Sequence, residues 1–291
     1  MRTIPPSELI INEDGTVFHL HLTPSQISDI VILVGDPGRV SLVASHFENI
    51  ECEVGNREFV SVTGYYKGRR MSVLSTGIGV GNIDIAVTEL DALANINFET
   101  RQVKDEFKQL TLVRLGTSGA LQADIEVGEM ILAKTSVGFD GVVSYYAGRD
   151  EVCDTQMESA FTEAVEWNHK LPSPYFVDGD SELTRLFADF TREGITIASP
   201  GFYAPQGRWV RLQPADIELN QKIEAFEWQG RKITNYEMES SALAGLSKLM
   251  GHRATTICTI IAQRIAKDAC TNYKPFVEQM IIKSLDKLAT L

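Results

Sequence analysis

Two stretches of the chain set an arginine beside a glycine-bracketed turn, a combination suited to holding an anion. Leu112 to Ala120 (LVRLGTSGA) is an apolar run with one charge, Arg114, that passes straight into small residues. An arginine between Val113 and Leu115 needs a counter-charge, because a buried, unpaired guanidinium is too costly to keep. The turn behind it, Gly116-Thr117-Ser118-Gly119, offers unencumbered backbone N–H groups and two hydroxyls, the equipment of an anion site. Two readings stay open here: a phosphate site at a strand end, or a core arginine paired with an acid elsewhere. Ile30 to Val34 repeats the arrangement, an apolar run emptying into Gly35-Asp36-Pro37-Gly38-Arg39.

Other chemistry-bearing spacings say less on their own. Glu237 and Glu239, two apart at a helix start, read as favourable charges near the helix's positive end. Thr76-Gly77-Ile78-Gly79-Val80-Gly81 has the spacing G-x-G-x-G, not the G-x-G-x-x-G of a dinucleotide site. Its small residues are expected to admit close approach by a ligand or a neighbouring subunit. His19 and His21 fall on one side of an extended segment from Val17 to Leu22, but no third ligand accompanies them and no metal is expected. The stretch from Gly201 to Trp209 (GFYAPQGRW) is loop chemistry rich in recognition groups.

These residues sit in a chain of 291 residues, long enough for one large α/β domain or two smaller ones. Hydrophobic residues make up 44% and the mean hydropathy is -0.06, which fits an ordinary soluble globular protein. A net charge of -12 works against nucleic acid or an anionic membrane as partner, since both need a basic surface. It does not exclude a small anion held by a few converging arginines. Four scattered cysteines (Cys52, Cys153, Cys258, Cys270) form no C-x-x-C pair, so neither zinc nor a disulfide framework is suggested and a cytoplasmic location is expected. The N-terminal stretch lacks the apolar segment of a signal peptide, and no run approaches the length of a membrane span.

Residues 1–16 read as an irregular arm with Pro5-Pro6 and the turn Asn12 to Gly15. Residues 17–291 read as one domain. Strands are expected at Ile30 to Val34, Phe59 to Tyr65, Met71 to Ser75, Leu112 to Ala120, Glu129 to Lys134, Ser136 to Phe139, Ile195 to Ala198 and Thr255 to Ala262. Helices are expected at Val40 to Phe47, Asn82 to Leu93, Asp154 to Lys170, Ala215 to Phe226, Ser241 to Met250 and Phe276 to Leu288. The stretch Thr234 to Ser240 is expected to lead directly into the fifth of these helices. Alternation of strand and helix without linker or repeat predicts an α/β domain.

Taken together, Gly35-Asp36-Pro37-x-Arg39, Ser75-Thr76-Gly77-Ile78-Gly79, Arg114-x-Gly116-Thr117-x-Gly119 and Asn235-Tyr236-Glu237-Met238-Glu239-Ser240 resemble the nucleoside phosphorylase family of the trimeric and hexameric type. The matches run in the family's order over nearly the whole chain from about residue 17. The resemblance implies a central twisted mixed sheet, partly barrel-like, flanked by helices. It implies phosphate held by the Gly35 backbone, Arg39, Arg114 and Thr117, with Arg57 supplied by a neighbouring subunit. Ribose would meet Thr117, Met238 and Glu239, with His19 of the neighbour reaching the 5'-hydroxyl. Phe202-x-x-x-Gln206-x-Arg208 resembles the base-recognition loop of the family's uridine phosphorylases. On that basis Phe202, Gln206 and Arg208 would bind the pyrimidine, with Glu237 holding the ligand-reading side chains in place, and Arg114, Arg208 and Glu239 would carry the catalysis.

The reaction so implied is phosphorolysis of uridine to uracil and ribose 1-phosphate, with phosphate as co-substrate, no cofactor, and a homo-oligomer, a dimer at least, as the working unit. A purine-specific member would carry an aspartate near the end of the strand Thr255 to Ala262, where this chain reads Ala262-Gln263-Arg264. The nucleosidases of the same fold use water and have no need of Arg39, Arg57 and Arg114 together, and a non-catalytic nucleoside binder would not need them either. After Gly79 the bacterial uridine enzymes continue Gly-Pro-Ser, whereas this chain has Val80-Gly81-Asn82. That departure bears on the monovalent-cation site some relatives build with the acid matching Glu58.

Overall fold

The computed structural model describes residues 2–264 and 268–291. In chain order its elements begin with β1 (Ile30–Val34), α1 (Pro37–Ala44), β2 (Asn49–Asn56), β3 (Phe59–Tyr66), β4 (Arg69–Ser75), α2 (Val80–Asn95), β5 (Ile96–Asn97) and β6 (Gln102–Val103). They continue with β7 (Thr111–Ala120), β8 (Met130–Gly138), α3 (Arg149–Val152), α4 (Thr155–Ala164), β9 (Tyr175–Asp178), α5 (Ser181–Phe187) and β10 (Arg192–Ala198). The last are α6 (Leu219–Ala225), β11 (Glu227–Trp228), β12 (Arg231–Glu237), α7 (Ser240–Leu249), β13 (Arg253–Gln263), β14 (Asp268–Ala269) and α8 (Lys274–Leu288).

The five residues of β1 are all buried, as expected of a strand covered on both faces. Strand periodicity sends Ile30, Ile32 and Val34 into one apolar cluster with α1, α5 and α8, and Val31 and Leu33 into another with α2 and α7. A helical layer therefore covers each side of the sheet. Strands β4, β1, β7 and β13 run parallel, so their C-terminal ends share one edge.

The sheet then closes on itself. β13 pairs with β8, β8 with β10, β10 with β12, and β12 returns antiparallel to β7, which makes a five-stranded ring. β7 belongs to both parts: Ile30 to Leu33 of β1 face Thr111 to Arg114, while Gly119 and Ala120 have turned to face Tyr236 and Asn235. The bend falls in the small-residue segment Gly116 to Gly119. Inside the ring Asn235 donates to Ser118 Oγ (2.9 Å) and accepts from Thr196 Oγ1 (2.9 Å) and Thr234 Oγ1 (2.7 Å), so this buried polar seam is internally satisfied.

Several expectations need correction. Val17 to Leu22 is not a strand but a succession of turns, with His21 at φ 55°. Leu20 and Leu22 are buried, so apolar alternation arose from a turn that packs every second side chain inward. His19 and His21 are held apart by different acids, Glu89 and Asp14. Where two strands are expected between Glu129 and Phe139 there is one, β8 (Met130–Gly138), whose register against β10 shifts between Gly194 and Ile195. The helix expected to Lys170 stops at Ala164, and the one expected from Ala215 starts at Leu219. Residues up to Glu237 belong to a strand, β12, and the sequence expectations include none of β2, β5, β6, α3, β9, α5, β11 and β14. The N-terminal arm docks through Leu9, which packs on Ala92 and Ile96.

Candidate active site

Gly35, Gly77 and Glu237 stand at or just beyond the C-terminal ends of β1, β4 and β12, Thr117 and Ala262 lie in the C-terminal parts of β7 and β13, and all five line one cavity of about 900 Å³. Ligands of open α/β sheets characteristically bind at that edge. Asp36, Pro37 and Arg39 enter the wall from the first turn of α1, where Asp36 caps the helix through a 2.9 Å bond from the Gly38 N–H. Phe202, Gln206 and Arg208 enter from the loop after β10, and Met238 and Glu239 from the link between β12 and α7.

Arg114 is buried and ion-paired twice. Nη1 lies 3.1 Å from Glu237 Oε2, and Nη2 donates to Glu239 Oε2. Glu237 also accepts the backbone N–H groups of Glu239 (2.9 Å) and Ser240 (2.8 Å), so it ties Arg114 to the first turn of α7. Glu239 Oε1 accepts the Gly79 N–H at 2.6 Å, at the head of α2. Here the glycine-rich turn brings backbone to a carboxylate, with Gly79 at φ 97°. Burial pushes the Glu239 carboxyl up to about 7, with Glu237 adding to the shift and Arg114 opposing it. For Arg114 burial works against the charge, but Glu239 and Glu237 outweigh it and hold the guanidinium ionised.

Arg114 is thus paired with acids, as one of the two sequence readings has it, and it also lines the cavity. Its guanidinium abuts Gly35, where an added methyl would lie 3.9 Å from Nη2. Its Nε is buried without a partner among the described residues. Arg39 donates through Nη1 to the Leu115 carbonyl (3.0 Å) and, among the described residues, meets no carboxylate. Burial, then the nearby Arg114, draws its pKa down. An anion in this corner would relieve both effects.

A second cluster centres on Gln206, which is 3% exposed. Arg208 Nη1 donates to its Oε1 at 2.6 Å, and the guanidinium lies 3.7 Å from the centroid of the Phe202 ring. Arg264, whose part sequence reasoning did not anticipate, bonds to both the Gln206 carbonyl and its side-chain oxygen and lies 5.1 Å from the Tyr236 ring. Its position follows from the register of β13 on β7, which sets Gln263 opposite Ala120. Burial, with Arg264 beside it, draws Arg208 down to about 10. Neither arginine has a carboxylate partner among the described residues.

His19 and Arg57 do not line this cavity. They sit together on the surface beside the β2–β3 turn: Arg57 lies 5.7 Å from the Phe18 ring, and the Phe18 and His19 rings meet edge-on at 4.8 Å. Asn56 Nδ2 fastens the turn to the His19 carbonyl at 2.8 Å. Glu58, next in the same turn, does line the cavity, and with Asn82 it crowds Gly77. Among the described residues there is no group of three or more His, Cys, Asp or Glu placed to hold a metal ion. Among the described residues no helix is long and apolar enough to cross a membrane.

The chain resembles known proteins over most of its length. A uridine phosphorylase of Thermococcus kodakarensis is 30% identical over 264 residues, covering 88% of this chain and 80% of that protein. A uridine phosphorylase of Haemophilus influenzae is 29% identical over 256 residues, covering 87% and 88%. The crystal structure of a Trypanosoma brucei nucleoside phosphorylase, described as showing uridine phosphorylase activity, superposes with a TM-score of 0.88 at 26% identity over 97% of this chain and 100% of that one. Residues 29–290 match the model of the phosphorylase superfamily, and the chain belongs to that family.

Proposed function

We propose that the protein is a uridine phosphorylase, catalysing reversible phosphorolysis of uridine to uracil and ribose 1-phosphate. The observation that carries this reading is the meeting, in one cavity, of an anion-demanding corner at Arg39 and Arg114, a carboxylate at Glu239, and a glutamine–arginine cluster at Gln206 and Arg208. The uridine phosphorylases among its relatives support the choice of base.

In this reading phosphate is held by the Gly35 N–H, Arg39, Arg114 and Thr117, with Arg57 arriving from a second copy. Guanidiniums present paired donors matched to phosphate oxygens. Glu239 accepts hydrogen bonds from the ribose hydroxyls and Met238 packs on the sugar. Gln206 and Arg208 read the uracil edge, Phe202 packs on its ring, Arg264 holds Gln206, and Glu237 holds Arg114. Cleavage of the N-glycosidic bond passes through an oxocarbenium-like state, as glycoside cleavage generally does. Phosphate is already a competent nucleophile, so orienting it against the anomeric carbon lowers the barrier more than activation would. Uracil departs with negative charge spread over its ring, and Arg208 stabilises that charge as it develops. No cofactor is required by this chemistry. Because Arg57 and His19 lie outside their own cavity, the working unit is a homo-oligomer of at least two chains. Four free cysteines fit a cytoplasmic setting.

Phosphorus NMR of the protein incubated with uridine and inorganic phosphate tests the reaction class. A new sugar-phosphate resonance, growing in step with free uracil, is expected. Uracil released with free ribose and unconsumed phosphate would make the protein a nucleosidase.

A further inference from the structure

Glu89, on α2, lies 7% exposed beneath His19, and every group that reaches it is a donor. It accepts the His19 backbone N–H at 3.0 and 3.1 Å through its two oxygens, the Leu20 N–H at 2.8 Å, and the His19 ring nitrogen Nδ1 at 2.7 Å. A carboxylate can only accept, so Nδ1 must carry the proton in that last bond. The other ring nitrogen, Nε2, has no hydrogen-bond partner among the described residues and is not buried, while the ring is set between Phe18 and Phe59 at centroid distances of 4.8 and 6.4 Å. His21, two residues on, instead meets exposed Asp14 at 3.2 Å and has no such clamp.

We propose that Glu89 is a positioning residue for the sugar: it fixes both the backbone turn and the ring tautomer of His19, so that an unprotonated Nε2 faces outward as an acceptor for the 5'-hydroxyl of a nucleoside in the neighbouring copy's site. This rests on the reading of His19 given above. The bond made at one imidazole nitrogen decides what the other can do. With Nδ1 committed to a carboxylate, Nε2 of the neutral ring accepts, and the 5'-hydroxyl donates. In Glu89→Gln the amide can turn its NH2 group toward Nδ1 while its oxygen keeps the backbone N–H groups. That swap moves the ring proton to Nε2 and reverses the role of the outward nitrogen.

The test compares uridine with 5'-deoxyuridine in wild type, Glu89→Gln, His19→Ala and the double variant, alongside nitrogen-15 NMR of the His19 ring. The ratio of kcat/KM for the two nucleosides within one preparation does not depend on how much of it is folded. In Glu89→Gln that ratio should fall about tenfold, roughly the worth of one oriented hydrogen bond, with 5'-deoxyuridine turned over as before. His19→Ala should show at least as large a fall, and the double variant no more than His19→Ala. In wild type the ring proton should sit on Nδ1, and in Glu89→Gln on Nε2. An unchanged ratio, or equal losses on both nucleosides, would leave Glu89 a structural residue and overturn the proposal. A wild-type proton on Nε2 would overturn it whether or not uridine is cleaved. Wild type with the proton on Nδ1 but no phosphorolysis of uridine would sink the functional reading instead and the sugar-positioning role with it, leaving only the clamp.

Discussion

Arg114 on β7 and Glu239 at the head of α7 are hydrogen-bonded through Nη2 and Oε2, and the second oxygen of Glu239 takes the Gly79 N–H from the head of α2. Three elements far apart in sequence are thereby locked at the sheet edge where the cavity opens. The Arg114 guanidinium and the Glu239 carboxylate thus hold each other in place in the wall of the cavity.

Arg114→Ala should destabilise the fold strongly. It leaves Glu237 and Glu239 buried without their shared cation, a loss worth about 3–5 kcal/mol. Urea unfolding measures it, and a change below about 1 kcal/mol would show that the two acids find other partners. The same variant should lose phosphate-dependent turnover.

Glu239 gives stability a definite pH dependence. Its folded value of about 7 lies above the ordinary 4.5, so the folded protein holds this proton more tightly than the unfolded chain does. Stability from the group is present below about pH 4.5 and is lost as pH rises through about 7. The unfolding free energy of wild type relative to Glu239→Gln should therefore fall as pH rises across that window. A gap that widens with rising pH would show that the pairing with Arg114 dominates over burial.

Gly116 is spaced for Arg114. A methyl there would stand 2.3 Å from Nη1 and 2.9 Å from Cys258 Sγ, so Gly116→Ala must displace the guanidinium. Overpacking of this kind costs about 1–3 kcal/mol. Steady-state kinetics should show KM for phosphate rising more than KM for uridine; equal changes would separate Arg114 from phosphate binding.

Arg264 should matter to the base and not to phosphate. Arg264→Met keeps an apolar stem but frees Gln206, and KM for uridine should rise about tenfold, the scale of one good hydrogen bond, with KM for phosphate unchanged. A matched rise in both would mean the substitution disturbs the whole cavity.

The shared site can be tested by mixing. Arg57→Ala and Arg208→Ala should each be nearly inactive, but co-refolded as hybrids of a symmetric dimer about a quarter of the sites would regain both residues. No recovered activity in the mixture would mean that Arg57 serves its own chain or none.

The legible parts of this fold were those with a local signature. β1 and the first half of β7 announce themselves as apolar runs because both faces are covered. β12 did not, because Thr234 and Asn235 face a polar seam inside the ring that no period-2 pattern reveals. β2 was hidden by its mostly exposed, polar residues at the sheet edge. Within the site, the stretches around Gly35 and Gly116 could be picked out directly from their glycine and arginine content, although Gly116 to Gly119 lies inside β7 and not in the expected turn. Arg264 could not, as nothing near it in sequence separates it from a surface arginine until the register of β13 sets it over Gln206. The clamp of Glu89 on His19 spans 70 residues and has no sequence signal at all.

The most direct test is the release of free base from uridine and from inosine, followed by ultraviolet absorbance with and without inorganic phosphate. Phosphate-dependent release from uridine, with inosine left intact, is the predicted result. Release from inosine at a comparable rate, or release that ignores phosphate, would contradict the assignment and with it the roles given to Gln206 and Arg208.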